Sequence, residues 1–194
     1  MNGEKLKVIF DIDDTLNKLN EYIYRELGII DKLSYTKRYE LTHEMNTELT
    51  KDDIENIVHL WHNYDTFIKC PLDESIGEVT KLSLSDKYSV VLHSTCMNEA
   101  VAKAKDIVMQ MYLDKSKVEY IFEIDCKNPL EESFAVVEDN LMYLINTNTK
   151  HRVLIDKSYN KAENYGITDE EYGITRVNSL KEAIERIKAW EQTI

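Results

Sequence analysis

The sequence predicts an α/β fold: a doubly wound, mainly parallel sheet with a small helical segment inserted after the first strand. Three observations carry this. Short, nearly continuous apolar runs recur along the 194 residues, amphipathic patterns of helical period lie between them, and residues 18–70 contain no convincing strand. Strands alternating with helices are the signature of a parallel sheet covered on both faces.

The strand-type runs are KLKVIF, YSVVLHS, VEYIFEI, FAVVED and HRVLID. Those ending at Phe10, Leu92 and Val137 are almost unbroken in Val, Ile, Leu and Phe, as strands buried on both faces should be. The helical pattern beginning DESIGEV has Asp73 as its expected N-cap, and NEAVAKAKDIVMQMYL follows the second run. SLKEAIERIKAWEQ closes the chain, with Ser179 at the N-cap and Glu182 three residues on, the spacing of a capping box. Within residues 18–70, NEYIYRELGI and TKDDIENIVHLWHNY read as amphipathic helices, the second capped by Thr50 with Asp53. The stretch YTKRYELTHEMN between them is ambiguous. The predicted organisation is therefore a core of residues 1–17 and 71–194, with residues 18–70 as a helical cap.

Composition narrows the function classes. Apolar content of 43% and charged content of 31% suit a chain that buries a real core. A net charge of −12 argues against nucleic-acid polymers and anionic membranes, which are bound by Lys and Arg surplus. A small phosphorylated partner is compatible with it where cations are concentrated locally. Cys70, Cys96 and Cys126 are odd in number and widely spaced, so reduced thiols in a cytoplasmic protein are expected. The N-terminus lacks a signal-peptide layout, no apolar run reaches transmembrane length, and a monomer and a homodimer fit equally.

The first strand runs directly into Asp11, Asp13 and Asp14. In open parallel sheets, ligands bind beyond the carboxyl ends of the strands. Asp11 and Asp13, two apart in extended chain, can face the same side, and Asp14 then points away or caps the turn with Thr15. Carboxylates this close repel unless one is protonated or a cation binds, and Mg²⁺ takes one or two of them together with water and phosphate oxygens. Ordinary Asx-turn residues would also produce such a triplet.

VIFDIDDTL resembles the first motif of the haloacid dehalogenase-like phosphatases, a family with a Rossmann-like core. The resemblance implies Asp11 as the nucleophile that takes the phosphoryl group and Asp13 as the general acid. It implies a phosphate-binding hydroxyl after the second strand, Ser94 with Thr95 as the substitute; a hydroxyl there could equally cap the helix that starts near Asn98. It implies a charge-neutralising lysine among Lys103, Lys105 and Lys127. Lys103 and Lys105 lie in a helical pattern, where a solvated face is expected. Lys127, in a short connection before the next strand as in the deoxyribonucleotidase branch, is favoured. The acidic pair after that strand is Glu138 and Asp139, with Glu138 in place of the family's more usual Asp. The implied metal set for Mg²⁺ is Asp11, Asp13 through its backbone carbonyl, Glu138 and Asp139, the last orienting Lys127 or a metal-bound water.

VLIDKSYNKAENYGI and ITRVNSLKEAI further resemble the C-terminal part of the 5′(3′)-deoxyribonucleotidases. This implies a 5′-nucleotidase acting on a nucleoside monophosphate. A phosphatase of sugar phosphates, and a non-catalytic phosphate- or partner-binding module, stay open. Cap aromatics that could stack on a base are Tyr22, Tyr24, Tyr35, Tyr39, Trp61, Tyr64 and Phe67, although Trp61 and Phe67 are expected rather to pack the cap's own core. His62 and His93 are expected to be structural.

Overall fold

The computed structural model describes residues 4–37, 41–42, 46–130 and 132–194. Six strands form one sheet: β1 (Leu6–Phe10), β2 (Tyr88–Cys96), β3 (Val118–Ile124), β4 (Ser133–Glu138), β5 (Thr149–Ile155) and β6 (Ile174–Val177). Their order is β3-β2-β1-β4-β5-β6, and every pairing is parallel. The chain winds outward from β1 through β2 and β3, then returns to the other side of β1 with β4. The direction of winding therefore reverses between β1 and β4, where a parallel sheet opens a crevice at its carboxyl edge.

Alternation along the strands sorts the core into two layers. Val8 and Phe10, Val90 and Leu92, Ala135 and Val137, and Val153 and Ile155 fill one face. Their in-between neighbours Ile9, Val91, Val136 and Leu154 fill the other. The first layer packs on α4 (Ile76–Ser83) and α7 (Leu180–Glu191), the second on α6 (Leu141–Ile145). β6 was not anticipated. It is a four-residue edge strand, too short to show a period, and only its β-branched Ile174, Thr175 and Val177 hint at it.

The inserted segment carries α1 (Leu19–Glu26), a 3-10 turn at Ile30–Tyr35, α2 (Lys51–Trp61) and α3 (Tyr64–Lys69). Thr50 and Asp53 form the expected reciprocal cap of α2. The chain leaves and re-enters the core side by side: Lys18 N–H donates to the Pro71 carbonyl, Asp73 N–H to the Leu16 carbonyl, and Asn17 bridges Leu72. The segment does not bury its apolar face alone. Leu19, Ile23, Ile57 and Phe67 cluster with Cys96 of β2 and with Val101 and Ala104 of α5 (Glu99–Gln110). Asp73 does not cap α4; it accepts from Ser75 N–H in the preceding turn, and Ser75 holds the N-cap position. Cys70, Cys96 and Cys126 are free thiols. Among the described residues no helix is long and apolar enough to cross a membrane.

Candidate active site

The crevice between β1 and β4 opens into a cavity of about 740 Å³, within the usual range for small-molecule sites. β1 ends at Phe10 and places Asp11 at its mouth, anchored by Asp11 N–H donating to the Val137 carbonyl. A helical turn follows, with Leu16 and Asn17 both donating to the Ile12 carbonyl. Asp14, inside that turn, takes a left-handed φ of 54°, a conformation Asp adopts more readily than most residues, and its N–H donates to Asn17 Oδ1. Asp14 then accepts from Asn20 N–H in the first turn of α1, so the third acid ties the strand's end to the first inserted helix.

Asp11, Glu138 and Asp139 are all buried, and one carboxylate oxygen from each lies within 4.8 Å of the others. Three like charges at that range are costly without a counter-ion. Lys127 supplies one: its Nζ donates to Asp11 Oδ1 at 2.7 Å and to Glu138 Oε2 at 2.6 Å. Asp139 is held differently from expectation. Its Oδ2 accepts from the Tyr159 hydroxyl at 2.7 Å, and its backbone carbonyl accepts from Asn160. Of the two roles expected for Asp139, orienting Lys127 falls to Glu138, which accepts from that ammonium; orienting a metal-bound water is not touched by these contacts.

Asp13 points to a second lysine. Lys105 Nζ donates to Asp13 Oδ2 at 2.5 Å, to Ser94 Oγ at 3.1 Å and to the Thr95 carbonyl at 2.6 Å. The expectation of a solvated Lys105 is overturned, for its residue is only 2% exposed. The signal was in the spacing: Lys105 lies four residues after Val101 and four before Met109, on the buried stripe of α5. Lys103 on the other face is exposed. With Lys105 donating to its oxygen, Ser94 turns its own proton to the Thr95 carbonyl at 3.4 Å, a long bond that a stronger acceptor would displace. Ser94 does not cap α5, since Asn98 does so through Val101 N–H. Of the two hydroxyls, Ser94 is the one Lys105 touches; Thr95 also lines the cavity, and its carbonyl holds Lys105. Asn17, unforeseen, braces Asp13 with its side-chain amide at 3.1 Å.

Of the inserted aromatics, Trp61 and Phe67 line the cavity, and the Phe67 ring centroid lies 5.0 Å from Lys105 Nζ. Tyr24 is buried against Thr36, Tyr35 is exposed, and Tyr22 and Tyr64 are half-buried beside the apolar cluster. Tyr39 lies outside the described residues. His62 sits at the end of α2, its Nδ1 on the Val58 carbonyl. Tyr143, Met97 and Met142 add to the apolar lining from the core.

Burial raises the Glu138 carboxyl from 4.5 to about 7, with Asp11 adding to the rise and Lys127 opposing it. Burial likewise lifts Asp14 from 3.8 to about 6, against the pull of Lys157. Asp13 and Asp139 are raised as well, first of all by burial. Between the ordinary and the raised values the folded chain holds protons that the unfolded chain has released, so stability falls as pH rises through this window. The melting temperature of the metal-free protein is therefore expected to drop as the pH rises from about 4 to about 7. Thermal scans across that range, with and without Mg²⁺, check it. The metal should restore stability most at the upper end, and a flat profile would contradict the picture. Carboxylates that cations hold low despite burial, such as Asp156 beside Lys161 and Arg176, act only in more acidic solution.

The buried trio of hard oxygen donors fits Mg²⁺, which prefers a few carboxylates and keeps room for water and phosphate. Solved structures share the fold. A haloacid dehalogenase-like family hydrolase from Streptococcus pneumoniae matches 94% of this chain and 98% of its own, at 15% identity and a TM-score of 0.59. A protein described as a dehalogenase matches 93% and 96%, at 16% identity and 0.54. A haloacid dehalogenase-like hydrolase from Xanthomonas campestris matches 95% of each chain, at 15% identity and 0.51. No family model and no curated protein sequence matches the chain.

Proposed function

Because the chain has the haloacid dehalogenase-like fold, we propose that it is a Mg²⁺-dependent phosphomonoester hydrolase working through an aspartyl-phosphate on Asp11, with 5′-nucleotides as its substrates. The observation that carries this reading is the meeting of Asp11, Glu138 and Asp139 with Lys127 at the point where the sheet reverses. Phosphoryl transfer asks a protein mainly for positioning and charge neutralisation, and this cluster is built for both.

In the proposed reaction an Asp11 oxygen attacks phosphorus in line with the ester oxygen. The bond to that oxygen breaks, and Asp13 gives it a proton as it leaves. Asp13 then takes a proton from the water that attacks the aspartyl-phosphate, which returns Asp11 and releases phosphate. Lys127 and the Ser94 hydroxyl hold phosphoryl oxygens, and Lys105 keeps Asp13 and Ser94 in place. Mg²⁺, held by Asp11, Glu138, Asp139 and the Asp13 carbonyl, would supply the remaining positive charge against the substrate's phosphate.

Support for a nucleotide comes from the cavity's size and from Trp61 and Phe67 on its lining, flat surfaces suited to a base. A sugar phosphate is the second reading, favoured by the amides of Asn20, Asn140 and Asn146 on the same lining. The retained Asp11–Asp13 pair speaks against a purely binding role, which has no need of a general acid. Phosphate release from nucleoside monophosphates, deoxynucleoside monophosphates and sugar phosphates, with Mg²⁺ and with EDTA, decides among these. Release that needs the metal and prefers nucleotides is expected. Release from sugar phosphates alone would favour the second reading, and none from any substrate would sink the hydrolase assignment.

A further inference from the structure

We infer that Tyr143, held by His93 and Glu123, is a positioning residue that keeps the Lys127 ammonium on Asp11. This rests on the hydrolase reading for its purpose, but its geometry stands apart from it. Lysine carries a compact charge on a flexible stem, so holding it through repeated turnover needs restraint on more than one side.

Glu123, at the end of β3, restrains two sides at once. Its Oε2 accepts from Asn128 N–H at 2.8 Å and its Oε1 from the Asn128 side-chain amide at 3.0 Å. That clips the chain one residue beyond Lys127, in a connection that Asp125 enters at a left-handed φ of 69°. The same Oε2 lies 2.6 Å from His93 Nε2. A carboxylate can only accept, so Nε2 carries the proton. Burial keeps the His93 ring below its ordinary pKa, hence neutral, and Nδ1 is left to accept. Tyr143 donates its hydroxyl proton there across 3.1 Å, the Asn128 carbonyl lying farther away at 3.5 Å.

This chain fixes the phenol ring, whose centroid lies 4.4 Å from Lys127 Nζ. Two of the ammonium's protons go to Asp11 and Glu138, and the ring covers another side with its electron-rich face. A phenol that donates to an imidazole bound by a carboxylate gains electron density, which strengthens that face. His93 is fully buried, and the proposed chemistry leaves it no part. The bracket gives it one.

The test compares Tyr143→Phe, which keeps the ring, with Tyr143→Leu, which does not, and adds Glu123→Gln. Trace acetylation of Lys127, read by mass spectrometry, is expected to speed up about tenfold in Tyr143→Leu and to stay within about threefold in Tyr143→Phe. Amide exchange over residues 126–128 should quicken about tenfold in Glu123→Gln. Turnover per KM should fall about tenfold in Tyr143→Leu, and this loss should vanish in a Lys127→Met background, which a general packing defect would not allow. Equal behaviour of the Phe and Leu variants, an undiminished loss without Lys127, or unchanged exchange in Glu123→Gln would overturn the inference. If the wild-type protein turns over nothing, the hydrolase reading fails, while acetylation and exchange still decide the bracket.

Discussion

Asp11→Asn is expected to remove phosphate release by at least about four orders of magnitude, because an amide cannot replace the carboxylate as nucleophile. The same change should leave the fold intact. Asp11 is one of three carboxylates crowded within 4.8 Å, and Asn can still accept a hydrogen bond from Lys127. Removing one negative charge from that cluster relieves repulsion, so the melting temperature of the metal-free variant should hold or rise. Activity and stability thus move in opposite directions, the pattern of a functional group kept at a cost to the fold. Measuring both on one preparation separates this from simple unfolding. A variant that retains a tenth of the wild-type rate would exclude the covalent route through Asp11.

Asp13→Asn is expected to slow turnover by roughly two to four orders of magnitude, the scale of general acid–base assistance. The size should depend on the leaving group. An alkyl phosphate needs a proton on its departing oxygen, so both steps suffer. p-Nitrophenyl phosphate releases a stable anion, so the first step is spared, and the aspartyl-phosphate should accumulate because its hydrolysis still lacks a base. Acid-quenched protein mass spectrometry would detect it. Equal slowing of the first step on both esters, read from the initial burst of released alcohol or phenol, would count against Asp13 as the acid. Lys105→Met removes the ammonium that Asp13 and Ser94 share and should show a smaller loss on the same two esters, since Lys105 acts through its neighbours.

The positions where expectation and structure part share a physical cause. The acids Asp11, Asp13, Glu138 and Asp139 were legible because they sit at or within three residues of the carboxyl end of an apolar strand, a pattern contained in a few consecutive residues. Lys105 was read as solvated because lysine on a helix usually is, yet its place on the stripe of Val101, Val108 and Met109 carried the opposite signal. Tyr159 reaches Asp14 across 145 positions and Lys127 reaches Asp11 across 116; the length of such a loop leaves no local trace in composition or period.

Periodicity and strand-end residues are local properties, so the alternation of strands and helices, the inserted helical segment and the acids near the strand ends could be read from residue order alone. Which lysine meets which acid, that Glu138 rather than Asp139 holds Lys127, and that His93 and Tyr143 stand behind it, emerge with the folded chain. Those pairings depend on which strands lie side by side, and that order is settled by long-range packing of the two faces of the sheet.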